Sequence, residues 1–189
     1  MDSFVTVVSG LPRSGTSMVM QMVHAGGMPA LIDGVRAADD DNPRGYLEFE
    51  RVKFLRSDQA WLDDAAGKVV KIIHMLLPEL PADRDYRVLF LDRDLDEVVE
   101  SQRKMLARLN RQGGALPPER LKAAFAAQLQ SVSAVLAGRP RTRLLRLPYR
   151  DVIAESATAA ARINEFLGGC LDEVAMCGAV DPSLYRNRR

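Results

Sequence analysis

The chain has 189 residues, 47% of them hydrophobic and 27% charged, with a formal net charge of +1. That size and mixture suit one soluble domain with a proper core, and the balanced charge offers no bulk attraction to nucleic acid or a membrane surface. Two cysteines, Cys170 and Cys177, and two histidines are too few for a disulfide framework or a convincing metal cluster. No run approaches the ~18 apolar residues of a membrane span, and the chain starts on a strand pattern without a charged-then-apolar leader. A cytoplasmic protein with two reduced thiols is the expectation.

Phe4 to Ser9 is a short apolar, β-branched run and reads as a buried strand. Met18 to Ala25 reads as a helix, with Gly10-Leu11-Pro12-Arg13-Ser14-Gly15-Thr16-Ser17 as a tight turn between the two. Gly26-Gly27-Met28-Pro29 ends that helix, and residues 27–47 look irregular. A loop of that length inside a compact domain points to function, here an acceptor-side loop. A helical pattern resumes from Leu47 to Ser57, and Trp61 reads as a core or lid anchor. Val69 to Ile73 and Arg87 to Leu91 are the second and third strands. Residues 95–109 carry apolar positions at helical spacing, and Pro117-Pro118 opens another helix that Gly138 and Pro140 close. Arg143 to Leu147 is a fourth strand and 152–167 one long last helix. Strands alternating with helices argue a single α/β domain, a P-loop-type parallel sheet with helices on both faces.

The first turn carries the strongest chemical signal. A strand that turns through glycines into a helix aims backbone N–H groups and the positive end of the helix dipole at one point, which suits a phosphate. The spacing nearly fits GxxxxGK[ST], but Thr16 stands where the lysine belongs, and the cation of the turn is Arg13. A second signal follows the third strand, where Arg93 precedes Ser101 by eight residues. Glu97, Ser101, Lys104 and Arg108 share one polar helix face, so Arg93 and a Ser–Lys surface can meet one anion. An ordinary solvated helix face gives the same pattern.

Together these segments resemble the sulfotransferases that use 3′-phosphoadenosine 5′-phosphosulfate (PAPS). Pro12-Arg13-Ser14-Gly15-Thr16-Ser17 is similar to the family's 5′-phosphosulfate loop, and Arg93 with Ser101 to its 3′-phosphate pair. Asn42-Pro43-Arg44-Gly45-Tyr46-Leu47-Glu48 looks like a segment of bacterial members, and Leu147 to Leu167 like the late strand and closing helix. The resemblance implies Gly10, Pro12, Arg13, Ser14, Gly15, Thr16, Ser17, Arg93 and Ser101 as residues binding PAPS or its product PAP, without a metal. It departs from the cytosolic hormone- and phenol-sulfating branch. Lys71 matches that branch's strand lysine, but Ile73 stands where its catalytic histidine would fall and His74 comes one residue later. The late Arg-Lys-Gly element is not evident. Arg186, Arg188 and Arg189 are substitutes for it or simply a basic tail.

Sulfuryl transfer asks for positioning, charge stabilisation and a base. Arg13 and the loop amides would stabilise the departing phosphate, and Lys71 would approach the sulfuryl group unless it is only a snorkelling strand lysine. Glu48 and His74 are alternative bases, with Asp33 and Asp39–Asp41 behind them. Glu48 reads equally as a first-turn helix acid, His74 as a satisfied histidine. The acceptor is an unknown small molecule or glycan. A P-loop kinase or NTPase with Asp92 near Mg2+, or a non-catalytic nucleotide-binding protein, is the alternative.

Overall fold

The computed structural model describes residues 4–36, 45–108 and 116–185. The Asp39–Asp41 cluster, Asn42 to Arg44, and Arg186, Arg188 and Arg189 lie outside those residues, as does the side chain of Arg108.

The protein is a single α/β domain. Four strands, β1 (Val5–Gly10), β2 (Val69–Lys71), β3 (Tyr86–Asp92) and β4 (Thr142–Pro148), form a parallel sheet in the order β2-β1-β3-β4. Register pairs Val8 with Lys71, Gly10 with Leu91, and Leu91 with Leu147. The C-terminal ends of β1, β3 and β4 are therefore nearly level, and β2 ends two residues short of β1. Strand order reverses between β1 and β3, which opens a crevice beyond their C-terminal ends, the ligand position in such sheets.

Side chains alternate across the sheet because the strand period is two. Val5, Val7, Val88 and Phe90 face one core, closed by Trp61, Leu62, Leu77 and the Val132–Leu136 stretch of α3 (Pro118–Ala137). Val8, Leu89 and Leu91 face the other. That core is closed by α1 (Thr16–Ala25), α4 (Tyr149–Ala154), α5 (Ser156–Leu167) and α6 (Glu173–Gly178). Helix α2 (Leu95–Arg108) packs on α3 through a third cluster containing Leu11, Val98, Val99 and Phe125. Trp61 is buried, donates its ring N–H to the Asp58 carbonyl at 3.1 Å and meets Phe49 edge-on, so it is a core anchor.

Three expectations need correction. The pattern at Leu47–Ser57 is only a 3-10 turn over Glu50–Phe54, whose first amide is capped by Asp33 at 2.5 Å. The second strand ends at Lys71, because Ile72 and Ile73 already lead into a 3-10 segment, His74–Glu79, that contains Pro78. The helix expected over 152–167 is two helices, broken at Glu155, whose φ of −131° and ψ of 58° are not helical. Cys170 and Cys177 are both free thiols. Among the described residues, no helix is long and apolar enough to cross a membrane.

Candidate functional site

The loop after β1 takes its shape from Gly10 and Gly15. Gly10 has φ 155°, and a Cβ there would lie 2.5 Å from Ser14 Oγ and 2.9 Å from the Leu91 carbonyl oxygen. Gly15 has φ 100°, and its Cβ would strike the Tyr149 ring at 2.5 Å. Only glycine combines those dihedrals with that proximity. Arg13 is left-handed as well, at φ 69°, an uncommon conformation for a residue with a side chain and one that clusters at functional sites. Helix α1 starts at Thr16, and Gly15, Thr16 and Ser17 line the crevice, so the positive end of the helix dipole lies at its wall.

A cavity of about 500 Å3 opens there. Gly10, Pro12, Arg13, Gly15, Thr16 and Ser17 line it from the loop, and Lys71, Glu48 and Arg93 line it from elsewhere. Ser14 is instead buried under the loop, and its hydroxyl has no partner among the described residues.

Arg93 and Ser101 reach the loop directly. Arg93 Nη1 donates to the Arg13 carbonyl at 2.8 Å, and Arg13 Nε donates to Ser101 Oγ at 3.1 Å. The two sequence signals thus meet in one cluster, although they lie about eighty residues apart. The helix face expected to be polar divides on folding. Glu97 and Ser101 are buried, whereas Lys104 is exposed and pairs with Glu100.

Glu97 is the residue the sequence reading did not value. One oxygen accepts from Arg93 Nε at 3.0 Å; the other accepts from Arg150 Nη2 at 2.5 Å and from the Tyr185 hydroxyl at 2.8 Å. Burial pushes its carboxyl up, but hydrogen bonds from Arg150, Tyr185 and Arg93 outweigh that and hold it below the usual carboxylate range. Tyr149 lies under the Arg93 guanidinium at 4.2 Å and Tyr185 meets Tyr149 edge-on. Tyr149 and Arg150 sit immediately after β4, where strand-end reasoning could have found them. Tyr185 directly follows the turn at Pro182–Leu184 and carries no local signal.

Lys71 occupies the opposite wall. Its ammonium donates to Ser17 Oγ at 2.9 Å and to the Tyr46 carbonyl, and pairs with Glu48 Oε1 at 3.3 Å. Burial lowers its pKa to about 8, with the attraction of Glu48 only partly opposing. Both Glu48 oxygens accept from Arg36 Nη1 at 3.1 Å, and the Arg36 guanidinium stacks 3.3 Å from the Tyr46 ring centre.

The structure does not bring His74 to this site. It is buried, its Nε2 meets Gln128 Oε1 at 2.9 Å, and it is not among the described residues lining the cavity. Asp33 is engaged in capping the amides of Val35 and Glu50. Among the described residues, no cluster of His, Cys, Asp or Glu is arranged to hold a metal.

No protein-family model matches the chain, and no curated protein matches its sequence. Solved structures do match. Retinol dehydratase, in complex with androsterone and the inactive cofactor PAP, superposes with a TM-score of 0.54 at 17% identity, over 92% of this chain and 62% of that one. The sulfotransferase from Alicyclobacillus acidocaldarius gives 0.54 at 15% identity, over 92% and 85% of the two chains. The sulfotransferase domain of the Synechococcus PCC 7002 olefin synthase gives 0.54 at 13% identity, over 98% and 88%. The architecture is that of the sulfotransferase-type P-loop fold.

Proposed function

We propose that this chain is a sulfotransferase that moves a sulfuryl group from PAPS to a hydroxyl or amine, releasing PAP. The observation that carries the reading is the Arg13–Ser101 and Arg93–Arg13 pair of contacts, which joins the phosphate loop to the end of β3. A nucleotide with phosphates at both its 5′ and 3′ positions gives both groups a purpose. The acceptor oxygen attacks sulfur, the bond from sulfur to the phosphate oxygen breaks, and PAP leaves with the electron pair. Arg13 and the loop amides take the 5′ charge, and Arg93 and Ser101 the 3′-phosphate. Lys71 steadies the sulfuryl oxygens. Glu48 accepts the acceptor proton as Lys71 shifts toward the sulfuryl group and leaves it with one cation fewer.

The kinase alternative fares worse on one observation. Asp92, which it needs beside Mg2+, is held by Arg146 through two contacts of 2.7 Å.

Calorimetry with PAP and ADP tests the reading. Hydrogen bonds to charged groups contribute roughly 1.5–3 kcal/mol each, so PAP should bind about 10²–10³-fold more tightly, with or without EDTA. Arg93→Ala should remove most of that difference, whereas Arg13→Ala should weaken both ligands. Equal affinities in the parent, or ATP binding only with Mg2+, would overturn the reading.

A further inference from the structure

We infer, resting on that reading, that the acceptor is an apolar molecule presenting a single neutral hydroxyl rather than a glycan. The chain segments that directly follow Lys71 and Glu48 also line the cavity. Phe49 and Val52 come after Glu48, and Ile72, Ile73 and Leu76 after Lys71; Met105 of α2 lines the same cavity. Phe49, Val52, Ile72 and Leu76 also belong to the core cluster behind the wall, so the surface is backed by packed side chains. Ile73 remains 38% exposed, an apolar side chain that the fold itself does not cover.

The polar groups on this side are committed to one another. Lys53 pairs with Glu50 at 2.6 Å, and Arg36 pairs with Glu48. A sugar ring buried here would lose water from several hydroxyls while meeting aliphatic and aromatic carbon, and each unpaired hydroxyl is costly. A hydrocarbon or aryl body gains from the same wall. Lys71, Arg36 and Glu48 stand at the reacting end, and the attacking atom there needs a free lone pair, which a neutral hydroxyl carries and a protonated amine does not. The hydroxyl would lie between the Lys71 ammonium and the Glu48 carboxylate, with its body along Ile73 and Phe49.

The test uses 2-naphthol as the apolar probe and maltotriose as the glycan probe, each titrated calorimetrically into PAP-saturated protein. The expected result is 2-naphthol binding at least tenfold tighter than maltotriose. Ile73→Ser and, separately, Met105→Gln should each weaken 2-naphthol roughly tenfold or more, the scale of lost apolar groups in a pocket, while PAP affinity stays unchanged. Retained PAP affinity also reports that each variant is folded. Maltotriose binding as tightly as 2-naphthol overturns the inference, and so does 2-naphthol binding that neither substitution weakens. If the parent binds no PAP at all, the sulfotransferase reading fails instead, and the same titrations without nucleotide still decide the apolar subsite.

Discussion

Lys71 links burial to a pH dependence that can be measured. Its side chain is largely enclosed, and burial brings its pKa from 10.5 down to about 8. If the ammonium is what steadies the sulfuryl group, kcat/KM should be level from neutral pH up to about 8 and fall about tenfold per pH unit above it. A profile flat to pH 9.5 would remove Lys71 from the chemistry. The same shift fixes a stability sign. Between about pH 8 and 10.5 the unfolded chain holds a proton that the folded chain has lost, so this lysine's contribution to stability rises with pH there. The parent minus Lys71→Met difference in urea midpoint isolates that slope. Arg93 raises a question of charge rather than of proton. Glu97 alone would cancel the cation that a 3′-phosphate needs; Arg150 leaves the trio with net positive charge. Arg150→Met should therefore weaken PAP on the order of tenfold, and ADP little. The effect is modest because solvent screens the half-exposed Arg150. Glu97→Gln in the same chain should restore PAP. Failure of that restoration would show that Arg150 acts through packing.

At the level of elements, the loop depends on Gly15 for two separable reasons, its dihedrals and the Tyr149 ring packed against it. Gly15→Ala should lower stability by on the order of 1–3 kcal/mol and should also lower PAP affinity. Gly67→Ala is the control, since it shares a left-handed φ of 72° with no atom near its Cβ position. Urea unfolding of both separates clash from strain; equal losses would mean that the Tyr149 contact costs nothing. The four strands were legible in the sequence because each is a short apolar run bounded by glycine, proline or charge. The phosphate loop was legible because its glycines and Arg13 are contiguous. Other features required the tertiary structure. A 3-10 turn and an α-helical turn share nearly the same apolar spacing over one or two turns, so Glu50–Phe54 read as a helix. The stretch through Glu155 keeps helical periodicity although its backbone does not. The role of Glu97 is invisible locally, because Arg150 and Tyr185 reach it from 53 and 88 residues away. His74 was placed near the site by its nearness to Lys71 in sequence, yet the 3-10 turn carries it into the core against Gln128.

Across the whole molecule, the proposed nucleotide site gathers segments from both ends of the chain. The loop at 10–17, the β3 end at Arg93, Tyr149 of α4, and Asp181 and Leu184 near the C-terminus all line the one cavity. The C-terminal segment is fastened by Tyr185 on Glu97 and Tyr149 and by α6 on α1, where the Asp172 amide donates to the Gly26 carbonyl at 3.0 Å. A ligand that touches all these segments binds the folded state and has nothing comparable in the unfolded one. PAP at 100 times its Kd should then add about 2.7 kcal/mol to stability. For a chain of this size that raises Tm by roughly 5–11 °C. ADP at the same concentration should add much less, and EDTA should change neither. Truncation after Val180 removes Asp181, Leu184 and Tyr185, so it should shrink the PAP-induced rise more than it lowers the ligand-free Tm. Differential scanning calorimetry measures both quantities in one series. A PAP-induced rise that survives the truncation intact would mean that the C-terminal segment is no part of the nucleotide site.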